Sequence, residues 1–443
     1  MRSDEDQHIT ERPFSRFSIF ISVWLTYVSF LAIVFLYRIF FRSFNFYKEW
    51  SFTWSDKPWV PPSAPDPSPL IGGHFFGDFL LPISYLQTKF PYDLNLPLTL
   101  GIAPVASAVL KFFTIFGTRV GYLAIVLVSL AVLVAAMLKW MGSKNLSLKI
   151  SLVLISICFS FPIGLSIDRG NLILLAVPLL LYSFVKLQDR DLSTVAKFTV
   201  IAFLTISVSF KSYLLLVLIL YLPLIKVFQN RKLIYWTIYS LIISNSILSF
   251  FFSSNPIEVM KNIYKYSSFQ SGEGQPDWLL GGIGPMRSLL NLTIKNCTST
   301  QVECVTPYQH FANLPALIWF LIVFFLIRKS QISYEKKTIL VLTSISAFPP
   351  VSMGYTLLWV PFALLISINM WIEKGRPREL FLWIVPLIIL NLPNTFTGLL
   401  PWPFQDWRAI AFLMYASLPL SAVVENYLEK RRRFGDELLL RKR

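Results

Sequence analysis

Charged residues are scarce in this chain, since they make up 14% of its 443 residues and only 24 residues are acidic. A soluble globular protein carries about 25% charged residues. Hydrophobic residues account for 55% of the chain and aromatic residues for 16%, which is more apolar surface than water-facing helices can hide. The composition therefore excludes a soluble enzyme and a soluble DNA-binding domain, and it indicates that lipid surrounds most of the chain.

Histidine and cysteine are also rare, with three of each. His8, His74 and His310 lie far apart in sequence, and no cluster of histidine and cysteine has the spacing of metal ligands. The sequence has no glycine-rich phosphate-binding loop either. We therefore expect no metal and no cofactor. Cys297 and Cys304 fall in the same predicted loop, and the sequence is compatible with a disulfide between them or with two free thiols.

Uncharged apolar runs, by contrast, are abundant, and a helix needs about 20 such residues to span a bilayer. The long runs cover residues 17–37, 120–138, 150–167, 170–185, 233–257, 338–372 and 380–405. The run 338–372 is too long for one span, and Pro349-Pro350 predicts a break near its middle. Shorter runs cover residues 98–110, 198–210, 212–225, 311–327 and 409–424. Together they predict an all-α polytopic membrane protein with about 12–13 transmembrane segments.

The distribution of lysine and arginine predicts the orientation of these segments. Of the 40 basic residues, 26 lie in segments that we place on the cytoplasmic side, residues 1–16, 139–149, 186–197, 226–232, 328–337, 373–379 and 426–443. Both termini of this multi-pass cell-membrane protein are then cytoplasmic, and the basic tail 426–443 faces anionic membrane lipid. Because the basic residues fall between apolar runs, the net charge of +16 reflects topology, and we expect no nucleic-acid partner.

The same orientation leaves two long loops on the outer side, residues 43–97 and 253–312, around a membrane domain that covers 17–425. Long loops are commonly functional. An odd number of candidate spans separates the first loop from Asp168, so the helix within 98–116 is predicted to be partial or re-entrant.

Two charged residues stand out because a charge at the end of an apolar segment is costly unless it is paired or used. Asp78 lies in an aromatic stretch of the first outer loop, where a carboxylate suits a general base; a helix cap or a solvated loop acid is its structural alternative. Lys211 divides an apolar stretch into two helices joined by a tight turn. It suits an anionic headgroup such as a lipid phosphate, and snorkelling to the interface is its structural alternative.

A third motif, Asp168-Arg169-Gly170-Asn171, precedes a leucine-rich run and is predicted to open a helix. Asp168 or Asn171 could cap that helix, Gly170 would permit close backbone approach, and Arg169 would supply a fixed cation. A structural ion pair is the alternative. The fourth motif surrounds Pro349-Pro350, where Ser352 and Tyr355 could hydrogen-bond a ligand or simply belong to a proline turn.

In chain order these elements resemble the GT-C membrane glycosyltransferases, and most specifically glycosyltransferase family 87, the type that depends on polyprenyl-phosphate mannose. The motifs that carry the resemblance are Asp78-Phe79 followed by Pro91-Tyr92, Asp168-Arg169-Gly170-Asn171, Lys211-Ser212-Tyr213, and Pro349-Pro350-Val351-Ser352-Met353-Gly354-Tyr355. They extend over roughly residues 17–425 with matching predicted topology.

The resemblance implies transfer of a hexose, mannose in the family, from a polyprenyl-phosphate donor to an acceptor hydroxyl on the outer face by a single inverting displacement. The residues that receive roles are the general base Asp78, the phosphate-binding Lys211 and Arg169, and the possible substrate-binding Asp168, Asn171, Ser352 and Tyr355. A glycolipid, a glycan and a protein all remain possible acceptors. Two other classes stay open: a transporter or flippase of a lipid-linked or small polar substrate, and a non-catalytic membrane subunit.

Overall fold

The computed structural model describes residues 77–88, 90–92, 102–142, 146–158, 160–268, 314–348, 354–374, 380–391 and 407–441, which are helical and contain no β-strand. The α-helices are α1 (Gly77–Leu86), α2 (Pro104–Phe113), α3 (Thr118–Trp140), α4 (Leu146–Cys158), α5 (Phe161–Arg169), α6 (Ile173–Lys186), α7 (Thr194–Phe210), α8 (Leu214–Tyr221), α9 (Phe228–Phe252), α10 (Pro256–Ser268), α11 (Leu314–Lys329), α12 (Tyr334–Ala347), α13 (Val360–Lys374), α14 (Val385–Leu390) and α15 (Trp407–Arg441). Short 3-10 segments cover Thr114–Phe116, Leu222–Leu224 and Gly354–Trp359, and a π-helical turn covers Leu380–Ile384. The all-α prediction is confirmed for this part of the chain.

Three of the described helical segments are long and apolar enough to cross a membrane: Val120–Trp140, Phe228–Phe252 and Thr356–Glu373. Only 22% of the most apolar window of α9 is buried within the protein, and side chains such as Ile243 and Ile247 are exposed. Exposed aliphatic side chains along a long helix are typical of a surface that faces lipid. The structure thus supports membrane association through apolar helices, whereas the 12–13 segments stay a prediction.

The uncharged run 150–167, predicted as one membrane segment, consists of two helices in the structure. α4 ends at Cys158 and α5 begins at Phe161. The Ser160 side chain accepts a hydrogen bond from the backbone N–H of Ile163 at 3.4 Å, and Pro162 occupies the first turn, where a missing N–H costs nothing. An internal cap followed by a proline therefore divides the run into two short helices.

Three other boundaries predicted from the sequence can be compared with the structure. The break in the run 338–372 is confirmed, because α12 ends at Ala347 and helical structure resumes at Gly354. In the run 380–405 the described helical structure covers Leu380–Leu390, and residues 392–405 lie outside the described part of the chain. α15 runs without interruption from Trp407 to Arg441, so the end of the predicted membrane domain and the predicted tail share one helix.

Four of the segments that we place on the cytoplasmic side contact one another at one end of the helical bundle, here called the basic end (residues 139–141, 186–190, 221–231 and 330–337). Lys139 Nζ lies 2.9 Å from a carboxylate oxygen of Asp189. Gln188 Nε2 donates to the Tyr221 hydroxyl at 2.9 Å, and that hydroxyl lies 2.6 Å from the hydroxyl of Tyr334. Segments that lie on the same side of a membrane are expected to meet at one end of the bundle, and these four segments do. That the basic end faces the cytoplasm stays a prediction.

The sequence gives an odd number of candidate spans between the first outer loop and Asp168, and the helices of this region bear on that number. As predicted, the helix within 98–116 is short: α2 has 10 residues, about 15 Å or half of a hydrocarbon core. Gly121 lets the first turn of α3 pack closely on the end of α2, because a Cβ there would lie 2.3 Å from the Phe113 carbonyl oxygen. Within the protein, α3 leads away from the end that contains Tyr122, and α4 and α5 together lead back to it, since the Tyr122 hydroxyl bonds to the Ile167 carbonyl.

Candidate functional site

The helices that carry Asp78 and Asp168 meet at the bundle end opposite the basic end, here called the outer end. Asp78 lies in the first turn of α1, and its neighbour Phe79 is buried with its ring centroid 5.0 Å from that of Tyr122. The Tyr122 hydroxyl donates to the carbonyl oxygen of Ile167, one residue before Asp168. α1 also packs against α2, α3 and α5. The contact of buried Phe79 with partly buried Tyr122 thus holds the two acidic positions in the same region.

The Arg169-Gly170-Asn171 step closes one helix before it opens the next. α5 ends at Arg169, and Gly170 follows in the left-handed conformation with φ of 65°. Asn171 is buried, and its Oδ1 accepts a hydrogen bond from the N–H of Ile173 at 3.0 Å. Capping by Asn171 is therefore confirmed. The prediction that Asp168 and Arg169 open the leucine-rich helix is wrong, because a left-handed glycine ends an α-helix.

Gly170 consequently has a different function from the one expected. The sequence suggests that it allows close approach of another backbone, whereas the structure uses it as the C-terminal cap of α5. Its N–H donates to the Ile167 carbonyl at 3.1 Å, and the N–H of Asn171 donates to the Ser166 carbonyl at 3.1 Å. These two bonds satisfy carbonyls that the helix end would otherwise leave unpaired.

Lys211 stands in the turn between α7 and α8, as the sequence predicts. α7 ends at Phe210, Lys211 is partly exposed and extended with φ of −143°, and its carbonyl accepts from the N–H of Leu214 at 3.0 Å. The turn is tied to the start of α2, because Ala103 N donates to the Ser209 carbonyl at 3.2 Å. Since α2 packs on α1, the Lys211 turn lies at the same end as Asp78.

The fourth motif is represented by the 3-10 segment Gly354–Trp359, which packs against α5 and α6 and contains Tyr355. Trp359 Nε1 donates to the Ser346 hydroxyl at 2.7 Å, and that hydroxyl donates to the Thr356 carbonyl at 2.9 Å. The segment is thus fastened to the last turn of α12. Ser352 lies outside the described residues.

Tyr92 links the chain that follows α1 to two other elements of the outer end. Its buried hydroxyl donates to the Ile102 carbonyl at 2.5 Å and lies 2.9 Å from the Ser107 hydroxyl. Its N–H donates to the Phe252 carbonyl at 3.4 Å, and Asn262 donates to its carbonyl. Burial raises the pKa of the Tyr92 phenol, so this group stays a neutral donor. The Pro91-Tyr92 motif therefore has a structural function in this protein.

A buried ion pair between α12 and α15 was not expected from the sequence. Lys336 Nζ lies 2.7 and 2.6 Å from the two carboxylate oxygens of Glu425, and both side chains are at most 5% exposed. The ammonium group also lies 5.7 Å from the centroid of the Trp383 ring. The pair belongs to the basic end, since Gln331 N donates to Asn426 Oδ1 at 2.9 Å. An acidic residue directly after the apolar run 409–424 was the available signal.

The four chain segments at the outer end could bind an anionic, hydroxyl-bearing substrate, since their motifs contain carboxylate, cationic and hydroxyl residues. The structure describes the backbone positions of Asp78, Asp168, Arg169 and Tyr355, and their side chains lie outside what it describes. Over the described ranges, no group of three histidine, cysteine or acidic residues is placed to hold a metal. Comparisons of the chain with protein-family models, with curated proteins and with solved structures find no match.

Proposed function

We propose that this chain is a GT-C-type membrane glycosyltransferase that moves a hexose, with mannose as the first candidate, from a polyprenyl-phosphate donor to an acceptor hydroxyl at the outer face of the cell membrane. The observation that carries the proposal is the convergence of four separate chain segments at the outer end. These segments contain Asp78, Asp168-Arg169, Lys211 and Tyr355. Their residues are far apart in sequence. The proposal is supported by the packing of α1 on α2 and α5, of α2 on α7, and of the 3-10 segment Gly354–Trp359 on α5.

The chemistry assigned to these residues is a single displacement at the anomeric carbon. The Asp78 carboxylate removes the proton of the acceptor hydroxyl as the acceptor oxygen bonds to that carbon. The bond from the same carbon to the phosphate oxygen breaks, and the electron pair leaves with the polyprenyl phosphate. Lys211 and Arg169 stabilise the negative charge that grows on the leaving phosphate. Holding the two substrates in line supplies the remaining rate enhancement.

The position of Lys211 suits this function, because the turn is partly exposed and lies between the ends of two apolar helices. A lysine at the end of an apolar helix reaches the headgroup layer, where the phosphate of a lipid-linked sugar resides. Asn171 has a weaker case as a substrate ligand, since its Oδ1 caps α6 and its side chain is buried. The two cations therefore carry the proposed binding of the donor.

The test is transfer of label from radiolabelled polyprenyl-phosphate mannose in proteoliposomes that contain the purified full chain and a membrane extract as acceptor. Asp78→Asn is expected to lower the rate by about 10²–10⁴-fold. Asp191→Asn, an exposed acid at the other end of the bundle, serves as the matched control and is expected to leave the rate unchanged. Equal rates in the two variants would remove Asp78 from the mechanism.

A second pair of variants tests the cation. Lys211→Met is expected to lower kcat by about 10²-fold, as the loss of a group that stabilises developing charge does. Lys197→Met changes an exposed lysine of the same helix α7 near the basic end and is the control. A rise in KM without a change in kcat would indicate that Lys211 binds the donor and does not act in the transition state.

A transporter or flippase is the second candidate, and two observations favour it. Ionisable groups buried among apolar helices often mark a transport path, and Lys336 with Glu425 is such a pair. Interrupted helices are a feature of many transporters, and α4–α5 is interrupted. Movement of a fluorescent lipid-linked sugar across vesicles, with no transfer of label by the wild-type protein, would establish this class and contradict the transferase.

A further inference from the structure

Helix α10 follows the candidate membrane span α9 after a turn of three residues. Asn255 Oδ1 accepts a hydrogen bond from Ile257 N at 3.1 Å, and Pro256 is the first helical residue. An asparagine cap followed by proline is a strong start signal for a helix. Ser253 Oγ fixes the turn by accepting from Asn255 N at 3.1 Å and donating to Asn255 O at 2.7 Å. α10 is therefore a separate helix and not an extension of α9.

The first two turns of α10 present three different faces, as successive residues are about 100° apart around a helix. The face toward the bundle contains buried Val259 and the partly buried Ile263. Between them, Asn262 donates to the carbonyl of Tyr92. This face attaches α10 to the protein on the side of the first outer loop.

The second face is charged, and the third is apolar and uncovered. Glu258 and Lys261 form an exposed ion pair at 2.6 Å. Ile257 and Met260 lie on the opposite side of Lys261 from Glu258, and they are 64% and 69% exposed. Exposed apolar side chains next to a charged face on a short helix are the pattern of a helix that lies in the plane of a membrane interface.

The exposed apolar surface of α10 continues that of α9. Phe250 and Phe251 in the last turn of α9 are exposed, and only the turn 253–255 separates them from Ile257. We propose that α10 is an interfacial helix whose Ile257 and Met260 insert into the boundary between phospholipid headgroups and acyl chains at the outer end. The occupant of this surface is lipid, because the surface is continuous with the lipid-facing side of a membrane-spanning helix.

The interfacial position of α10 affects other segments of the outer end, whether or not the outer end is catalytic. Asn262 connects α10 to Tyr92, and the Tyr92 hydroxyl connects to Ile102 and Ser107 at the start of α2. Seating α10 in the interface therefore holds the end of the first outer loop and the start of α2 at the depth of the headgroups.

The experiment uses the full chain with Cys158, Cys297 and Cys304 replaced by serine and one new cysteine labelled with an NBD fluorophore. Met260→Cys and Lys261→Cys form the matched pair, since they are neighbours on different faces. Each protein is placed in phosphatidylcholine vesicles and quenched either by acyl-brominated lipid or by aqueous iodide. Quenching by iodide is expected to be at least about threefold weaker at 260 than at 261, with the order reversed for brominated lipid.

Two results would overturn the proposal. Equal iodide quenching at the two positions would place the apolar face in water. Protection of position 260 from both quenchers would show that protein, from this chain or a second copy, covers it. Ile257→Cys repeats the measurement on the same face in case Met260→Cys does not yield folded protein, and Phe250→Cys supplies a reference in the last turn of α9.

Discussion

Replacing Glu425 with glutamine removes one charge of the buried pair between α12 and α15 and leaves Lys336 in place. Both side chains are at most 5% exposed, and the ammonium group contacts both carboxylate oxygens. Taking one partner from a buried ion pair costs about 3–5 kcal/mol, because the remaining charge is neither solvated nor compensated. We therefore expect Glu425→Gln to lower the free energy of unfolding by about that amount.

The paired replacement separates the cost of an orphaned charge from the net contribution of the pair. Lys336→Met combined with Glu425→Leu leaves no charge behind, and such replacements are neutral or stabilising by about 1–4 kcal/mol. The exposed pair of Glu258 and Lys261 has the same 2.6 Å separation and is the matched control. Glu258→Gln is expected to cost at most about 1 kcal/mol, because water screens and solvates that pair.

The assay is unfolding in detergent micelles by increasing fractions of sodium dodecyl sulfate, followed by the fluorescence of the 13 tryptophans. A loss for Glu425→Gln no larger than that for Glu258→Gln would refute the burial of the pair. A double replacement as unstable as the single one would refute the assignment of the loss to an orphaned charge, and would point to lost packing of α15.

The remaining predictions use the same unfolding assay. Gly170→Ala is expected to cost about 1–2 kcal/mol, since a Cβ is unfavourable in the left-handed conformation, and wild-type stability would contradict the cap. Asn171→Ala is expected to cost about 0.5–2 kcal/mol through loss of the α6 cap. Gly121→Ala should cost about 1–3 kcal/mol, because its Cβ would meet the Phe113 carbonyl at 2.3 Å; an unchanged midpoint would show that α3 can shift. Trp359→Phe should cost about 1–3 kcal/mol through loss of its buried hydrogen bond to α12.

Local sequence signals located many of the helix boundaries. Lys211 was expected in a tight turn because one lysine interrupts a long apolar stretch, and the structure has α7 end at Phe210 and α8 begin at Leu214. The break near Pro349-Pro350 was expected because proline disfavours helical conformation at the preceding residue. These features depend on a few neighbouring residues, which is why the sequence is sufficient to predict them.

Helix boundaries were predicted incorrectly where a helix cap lies within or next to an apolar run. Residues 150–167 read as one segment because every side chain is uncharged, but Ser160 and Pro162 provide an N-terminal cap within the run. The step at Gly170 was assigned to the start of one helix because the following leucines dominate the pattern. Its left-handed conformation also makes it the end of the preceding helix. Backbone capping was the stronger determinant in both places.

The sequence by itself determined that the chain is helical and apolar, since composition and run length are properties of the chain alone; the orientation derived from the basic residues stays a prediction. Only the tertiary structure decided which segments meet. The contact of Phe79 with Tyr122, the bond from Ala103 to Ser209 and the pairing of Lys336 with Glu425 join residues 43, 106 and 89 positions apart. The hydrophobic periodicity of a sequence does not reveal contacts between residues so far apart in the chain. Helix packing depends on the shapes of whole surfaces and on the free energy of burying them together.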